Sequence, residues 1–429
     1  MPLSCVLKPR VAWSVKFCVK CRDSPSGFLG DSNSSSVLFS SLRTFGGSYN
    51  VKEAFAEFQI PLLRDAPWAR HLDLNTAARW ASYSGSGSIW AWKGGVSWSI
   101  NDQVRLRATQ SRDVRAATLQ ERFDQTRGGV NVQDPANGNT TVTTASFSGG
   151  NPNVMPEAAD TTTVGVVYRP SWLEGFSTSL DWYRIDISDA IGQLTAQNIV
   201  NSCFTGADPS LCQYVIRRDN APNGVIDRVE TLFINIAKQK ISGIDLETSY
   251  RRDVHLLGGG PEQIVWRFYG TYLGDNSIQN RGGLPDQRVG QIGPGLPGGI
   301  ALPKYKFTTN VSYRNGPFTA FLQGRWLDGG ILDRTRVESA VNIIDPATGR
   351  PVATIDDNTV PSTFYADLNL SYTVGSNDNL ETYLNVTNIF DRPPVLSPDV
   401  IGRAGTTEFN TSIYDVVGRR FVLGFNYKF

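Results

Sequence analysis

Apolar and polar positions alternate without a break at the end of this chain. From Arg419 to Phe429 it reads RRFVLGFNYKF, with Phe421, Leu423, Phe425, Tyr427 and Phe429 on one face. Arg420, Val422, Gly424, Asn426 and Lys428 fall on the other. Successive side chains of a strand point to opposite faces, so period two predicts one apolar wall and one mostly polar wall. A soluble sandwich could use such a strand. A chain that stops on an aromatic fits better with a transmembrane β-barrel, whose apolar wall meets lipid and whose aromatics gather at the interfaces.

The pattern recurs along the chain. Ala366, Leu368, Leu370, Tyr372 and Val374 alternate with Asp367, Asn369, Ser371 and Thr373. Leu380, Thr382, Leu384 and Val386 alternate with Glu381, Tyr383, Asn385 and Thr387. Ile264, Trp266, Phe268 and Tyr272 share one face, and so do Trp90, Trp92, Val96 and Trp98. About thirteen such strands are predicted, beginning near Tyr49, too many for one small filled barrel. Arg105, Arg107, Asp245, Glu247 and Lys306 sit on the polar face, which suits a water-filled or plugged lumen.

The connections between predicted strands separate by length. Short ones, rich in Gly, Pro, Asn and Asp, fall at about 62–70, 101–103, 169–175, 253–262, 315–317 and 375–379. Long ones fall at about 111–160, 188–240, 274–303, 328–363 and 389–418, and all emerge on the same side. Structureless loops of that length are rare in compact soluble domains. Short periplasmic turns and longer outer loops are the rule in outer-membrane barrels.

Composition agrees. Hydrophobic residues make up 40% of the chain, and 41 Gly accompany 15 Tyr, 21 Phe and 10 Trp. Mean hydropathy is -0.24, and no run of about twenty apolar residues offers a transmembrane helix. A net charge of +1 gives no hint of nucleic acid or another charged partner. No composition break divides 48–429.

Five ordered stretches resemble one known family, the TonB-dependent outer-membrane transporters. LRATQSRDVRAATLQERFD at 106–124 is similar to the family's strand-then-loop segment, with Asp113, Ala117 and Arg122 where Ser, Pro and Leu are expected. NPNVMPEAADTTTVGVVYRP at 151–170, LPKYKFTTNVSY at 302–313 and LNVTNIFDRPP at 384–394 resemble three more. The terminal strand ending in Phe429 is the fifth. The resemblance implies an all-β, antiparallel transmembrane barrel of about 22 strands around a plug. Counted from the C-terminus, about thirteen strands would be its C-terminal part, so an incomplete barrel without plug or TonB box is expected. The resemblance also implies uptake of a scarce solute such as a siderophore, cobalamin or oligosaccharide, driven through the TonB complex in intact relatives. Location in the cell outer membrane of a Gram-negative bacterium follows, with outer-membrane lipid around the wall. The apolar face of Phe421, Leu423, Phe425, Tyr427 and Phe429 resembles the signal read by barrel-assembly machinery.

Residues 1–47 read differently from 48–429. They hold Cys5, Cys18 and Cys21, three of the five cysteines. Lys16 interrupts the apolar run Val11–Val19, and no small-x-small cleavage site follows, so a signal peptide fits poorly. Cys18-x-x-Cys21 lacks the second half of a zinc site. We expect an atypical leader outside the fold. Cys203 and Cys212 lie in a predicted long loop, with Asp208-Pro209 supplying a turn between them. Closing about ten residues is comfortable for a disulfide and worth up to roughly 3 kcal/mol. Sub-groups of the resembled family carry a similar outer-loop pair. Unpaired thiols are the alternative.

Enzyme chemistry finds little support. His71 and His255 are far apart, no HExxH, GxSxG or P-loop pattern occurs, and the glycines around 258–260 and 293–299 lack a following helix pattern. No enzyme activity, cofactor or metal is expected, and carboxylates such as Asp245 and Glu247 read as solvated lumen groups. Two other functions compete: a complete smaller porin-like barrel, and a soluble carbohydrate-binding β-protein. The porin predicts an even strand count and closure of the strand near Tyr49–Ile60 on the terminal one.

Overall fold

The computed structural model describes residues 14–23, 47–221, 224–258, 260–280, 285–293, 301–334, 336–341, 343–344, 346, 352–374, 379–396 and 409–427. Among the described residues, fifteen strands form one sheet. Fourteen follow in sequence order, each antiparallel to the next: Ser14–Asp23, Asn50–Ala66, Ala69–Tyr83, Gly87–Ser99, Val104–Arg115, Glu157–Tyr168, Phe176–Gly192, Ile234–Val254, Glu262–Asn280, Tyr305–Asn315, Phe318–Leu327, Thr363–Val374, Leu380–Thr387 and Arg420–Tyr427. The short strand Asp286–Gln287 joins the flank of Glu262–Asn280. Thirteen of the fourteen lie from Asn50 onward, the number that alternation predicts.

The remaining strand, Ser14–Asp23, pairs in continuous register with Asn50–Gln59. The expectation for 1–47 is a leader outside the fold, whereas this part of it extends the sheet. Its sequence alternates Val15, Phe17 and Val19 with Lys16, Cys18 and Lys20, and the edge of Asn50–Ala66 offers it free backbone groups. Among the described residues, the first and last strands of the path do not pair with each other.

Register carries the apolar alternation from strand to strand. Ala108, Val164, Trp182, Ile244, Tyr272 and Tyr305 form a single row across six strands. Val386, Leu384, Thr382 and Leu380 sit opposite Phe421, Leu423, Phe425 and Tyr427. This face is open: Trp90 is 63% exposed and Leu423 81%. A water-soluble sheet would cover it, while a barrel wall presents it to hydrocarbon. Among the described residues, no helix is long and apolar enough to cross a membrane.

The connections keep their two-ended arrangement, with one exception. Strands Ala69–Tyr83 and Gly87–Ser99 are joined by a tight turn at the end where the long loops emerge. The long loops are not structureless. The first two build a four-stranded sheet from Gln125–Asp134, Thr140–Gly149, Val215–Arg217 and Ile226–Leu232. Helix Ala196–Thr205 packs on it, capped at its start by Thr195. Val132, Ile199, Val200, Leu211, Ile226 and Val229 are the buried centre of this module. The later loops share a second core of Ile292, Leu327, Leu332, Val360, Tyr365 and Tyr414. An excursion that leaves the wall cannot use the wall's face as a core, so it needs apolar residues of its own.

Asp134 ties the first module together. Its carboxylate is fully buried and accepts two hydrogen bonds from Arg217, at 2.7 and 2.8 Å. Asn137 and the Ala136 amide donate to it as well. The Arg217 hydrogen bonds, foremost, hold this carboxyl below its usual value. Removing one partner of a buried pair leaves an uncompensated charge, at a cost of about 3 kcal/mol or more. We predict that Asp134→Asn lowers hydrogen-exchange protection of the Ile199 and Val200 amides by about a hundredfold. A group whose carboxyl is depressed on folding stabilises the module above its unfolded value, near pH 4, and that contribution fades as pH falls through the folded value. Protection in the parent should therefore drop below about pH 4, and the variant should lack this step.

Candidate functional site

The sequence motifs meet at the rim where the long loops leave the wall. Thr118 and Glu121 form a reciprocal capping box on the short helix Leu119–Phe123. Arg115 donates to Glu121 at 2.9 and 3.0 Å and to Glu157 at 2.6 Å, so residues from the 106–124 and 151–170 stretches share one network. Burial disfavours the charged form of Glu121, but the Arg115 and Thr118 hydrogen bonds outweigh it and keep the carboxyl below its usual value. Arg122, placed where the resembled pattern has Leu, is buried. It donates to the carbonyls of Ser84, Gly85 and Pro152 at 3.3, 3.1 and 3.1 Å. A leucine could fill this space but could not bind three carbonyls, so the substitution changes a packing contact into a polar clamp.

The 384–394 stretch is a second rim device. Asn388, fully buried with φ +54°, both donates to and accepts from the Arg392 backbone at 2.9 Å. Its backbone N–H donates to the Asp367 carboxylate at 2.8 Å. Asp391, with φ +53°, accepts from the Arg419 amide at 2.9 Å. Asn and Asp tolerate this left-handed backbone better than most residues. The turn thereby holds the start of the terminal strand, at Arg419, beside the end of the strand before it.

The polar wall carries paired charges. Arg107 and Asp181 sit two strands apart, with Gly165 between them in register. Arg107 donates to Asp181 at 2.8 and 2.5 Å, directly over Gly165. A β-carbon at Gly165 would lie 1.8 Å from Asp181 Oδ1. Asp245 accepts from Thr271 at 2.9 Å. Near the turn between Tyr168 and Phe176 a polar groove of about 810 Å³ is lined by Arg105, Arg107, Arg169, Glu174 and Glu247. This wall can hold and exchange hydrogen bonds with a polar occupant. Among the described residues, no cluster of three or more His, Cys, Asp or Glu side chains could hold a metal ion.

The expected site residues fall in two places. Phe421, Leu423, Phe425 and Tyr427 lie on the open apolar face of the last strand, at 66, 81, 72 and 50% exposure, and Phe429 lies outside the described residues. Cys203 and Cys212 are joined by a disulfide that links the end of helix Ala196–Thr205 to the 3₁₀ turn Pro209–Tyr214. Cys5 lies outside the described residues, and Cys18 and Cys21 are in the strand Ser14–Asp23. The rim clamp of Arg122 and the Asp134–Arg217 pair escaped sequence reading.

An antiparallel sheet with one lipid-type wall, one charged wall and folded loops at one end has the build of a transmembrane β-barrel wall. The chain belongs to the TonB-dependent receptors: the family model described as TonB dependent receptor-like, beta-barrel, matches residues 21–389. No curated protein matches the chain. Among solved structures, a mutant of the ferric enterobactin receptor of Pseudomonas aeruginosa is similar at 15% identity and a TM-score of 0.63, covering 98% of this chain and 52% of its own. A siderophore receptor of Acinetobacter baumannii is similar at 16% identity and TM-score 0.61, covering 99% and 53%. The FrpB iron transporter of Neisseria meningitidis is similar at 15% and 0.55, covering 99% and 54%. The chain thus spans about half the length of the solved structures it matches.

Gly165 gives a direct test of the wall's charge pairing. Gly165→Ala should lower the temperature at which the folded, fast-migrating gel form is lost, by overpacking worth about 1–3 kcal/mol. Adding Asp181→Ala removes the clash and should recover most of that loss relative to Asp181→Ala alone. Additive losses would show that the pair does not bridge Gly165.

Proposed function

We propose that this chain is part of a TonB-dependent transporter that takes up an iron-chelating siderophore across the outer membrane of a Gram-negative bacterium. The observation that carries the reading is the pairing of ordered loop modules at one end with a charged wall beneath them. A diffusive pore has no need of folded loops with their own cores. A receptor gains from them, because a preorganised binding surface loses less entropy when its ligand docks. The solved relatives named for siderophores and iron favour that solute class over cobalamin or an oligosaccharide.

The proposed division of labour follows the geometry. The loop modules present the first contact surface, with the Cys203–Cys212 link and the Asp134–Arg217 pair limiting its motion. The polar wall lines the path inward. Energy comes from the inner membrane through TonB, because the outer membrane holds no proton gradient of its own. The apolar face of the terminal strand serves lipid contact and, during biogenesis, recognition by barrel-assembly machinery. The proposal assigns no enzymatic step.

Deleting the gene at its native locus and measuring uptake of radiolabelled solutes tests the reading. Uptake of one ferric siderophore should fall to background, and in the parent strain a protonophore should abolish it. Unchanged siderophore uptake with loss of cobalamin or oligosaccharide uptake would overturn the solute class. Protonophore-insensitive flux through the protein would favour the porin-like alternative.

A further inference from the structure

Two grooves of the polar wall meet at its short-turn end. The larger, of about 810 Å³, runs past Arg105, Arg169 and Glu247. The lining of the smaller, of about 190 Å³, includes Arg70, His71, Asp102, Gln103, Arg105 and Arg169. Register brings these residues together. His71, Ser99, Arg105 and Val167 form one row across four strands. The Arg169 N–H donates to the Gln103 carbonyl at 2.8 Å, which carries the pairing of its two strands into the turn. Arg169 therefore stands two residues beyond Val167 on the same face, roughly 8 Å from Arg105 between α-carbons by strand geometry. Both side chains reach the shared groove from there.

Acceptors in the smaller groove are largely engaged, while donors remain. The Asn101 side-chain oxygen accepts from the Gln103 and Val104 N–H groups at 2.9 and 2.8 Å. The Gln103 side-chain oxygen accepts from the Ser171 N–H at 3.3 Å. Arg64 reaches His71 Nδ1 at 2.7 Å, and a guanidinium can only donate, so the ring hydrogen sits on Nε2. Asp102, the single carboxylate among the described lining residues, accepts from Arg70 at 3.1 Å. Glu174 and Glu247 line only the larger groove. Among the described residues, the Arg105 side chain has no hydrogen bond or ion pair. Arg169 commits only its Nε, to Ser177 at 3.3 Å. Two neighbouring cations with no carboxylate between them repel each other, so stability does not explain the pair.

We infer that Arg105 and Arg169 clasp one oxyanion group, a carboxylate or a phosphate, at the short-turn mouth of the lumen. His71 Nε2–H and the Gln103 side-chain N–H groups are the supporting donors. A planar guanidinium matches the paired oxygens of such a group better than it matches a spherical anion. Because the two grooves share Arg105 and Arg169, the oxyanion can be the end of a longer occupant lying along the larger one. That occupant is either a solute in the lumen or a polypeptide segment seated there. The inference rests on the polar wall facing an aqueous lumen, and it is independent of which solute is carried.

Isothermal titration of the protein, extracted from outer membranes, with citrate and with inorganic phosphate tests it. The unaltered protein should bind at least one of them. Arg105→Gln should weaken that binding about tenfold, the weight of one charge-assisted contact, and adding Arg169→Gln should abolish it. Arg105 has no side-chain partner to lose among the described residues, so the folded gel form should persist. Lys306→Gln, elsewhere on the polar wall, should leave binding unchanged. A second arm treats Arg105→Lys with a carbodiimide, which joins an ammonium to a carboxylate in contact with it. A cross-link to an acidic residue that lines neither groove would identify a polypeptide as the source of the oxyanion. Absence of both anion binding and that cross-link would overturn the inference. So would binding that Lys306→Gln weakens as much as Arg105→Gln does, since the attraction would then belong to the whole wall.

Discussion

Backbone hydrogen bonding in hydrocarbon is the constraint on which this structure depends. Water is absent there, and each unpaired amide or carbonyl costs several kcal/mol, so a spanning strand must be paired along its whole length. The antiparallel ladder meets that demand for every strand of the path from Asn50–Ala66 to Leu380–Thr387, each with a neighbour on both sides, while among the described residues Ser14–Asp23 and Arg420–Tyr427 are paired on one side. Once the ladder is fixed, side chains have only two directions. One becomes the apolar face that carries Trp182, Ile244 and Leu423, and the other collects Arg107, Asp181, Asp245 and Lys306.

Charges follow from the same geometry. On the polar wall, Arg107 reaches Asp181 across two strand spacings because Gly165 leaves the space between them empty. At the rim, Arg115, Glu121 and Glu157 join two distant stretches of sequence into one network. That network anchors the base of a loop module whose interior is held by Val132, Ile199, Leu211 and Val229. Wall, rim and loops are thus three solutions to three environments: lipid, the boundary, and water.

Much of the wall was legible because period-two alternation is a strong local signal. The thirteen strands from Asn50 onward, the side on which the long loops emerge and the face of Phe421 to Tyr427 all follow from it. The loop modules were not legible from alternation, since their cores join residues such as Val132 and Ile226 that are far apart in sequence. Local signals did exist: Thr118-x-x-Glu121 is a visible capping box, and Ala196, Ile199 and Val200 have helical spacing. In Ser14–Asp23 the cysteines and the interrupted apolar run mask a stretch that alternates like the other strands. Arg122 stands in the sequence only as a departure from a pattern. Its burial against three carbonyls depends on the Gly85 turn folding over it, which no local rule reports.

One face of this sheet meets lipid and the other meets water. Single spin labels at Leu368→Cys, Asn369→Cys, Leu370→Cys and Ser371→Cys, read in native outer membranes against the parent without an added cysteine, test it most directly. Relaxation by lipid-soluble oxygen should be strong at 368 and 370, and a water-soluble nickel chelate should act mainly at 369 and 371. Equal access of the chelate to all four positions, or the opposite phase, would contradict it.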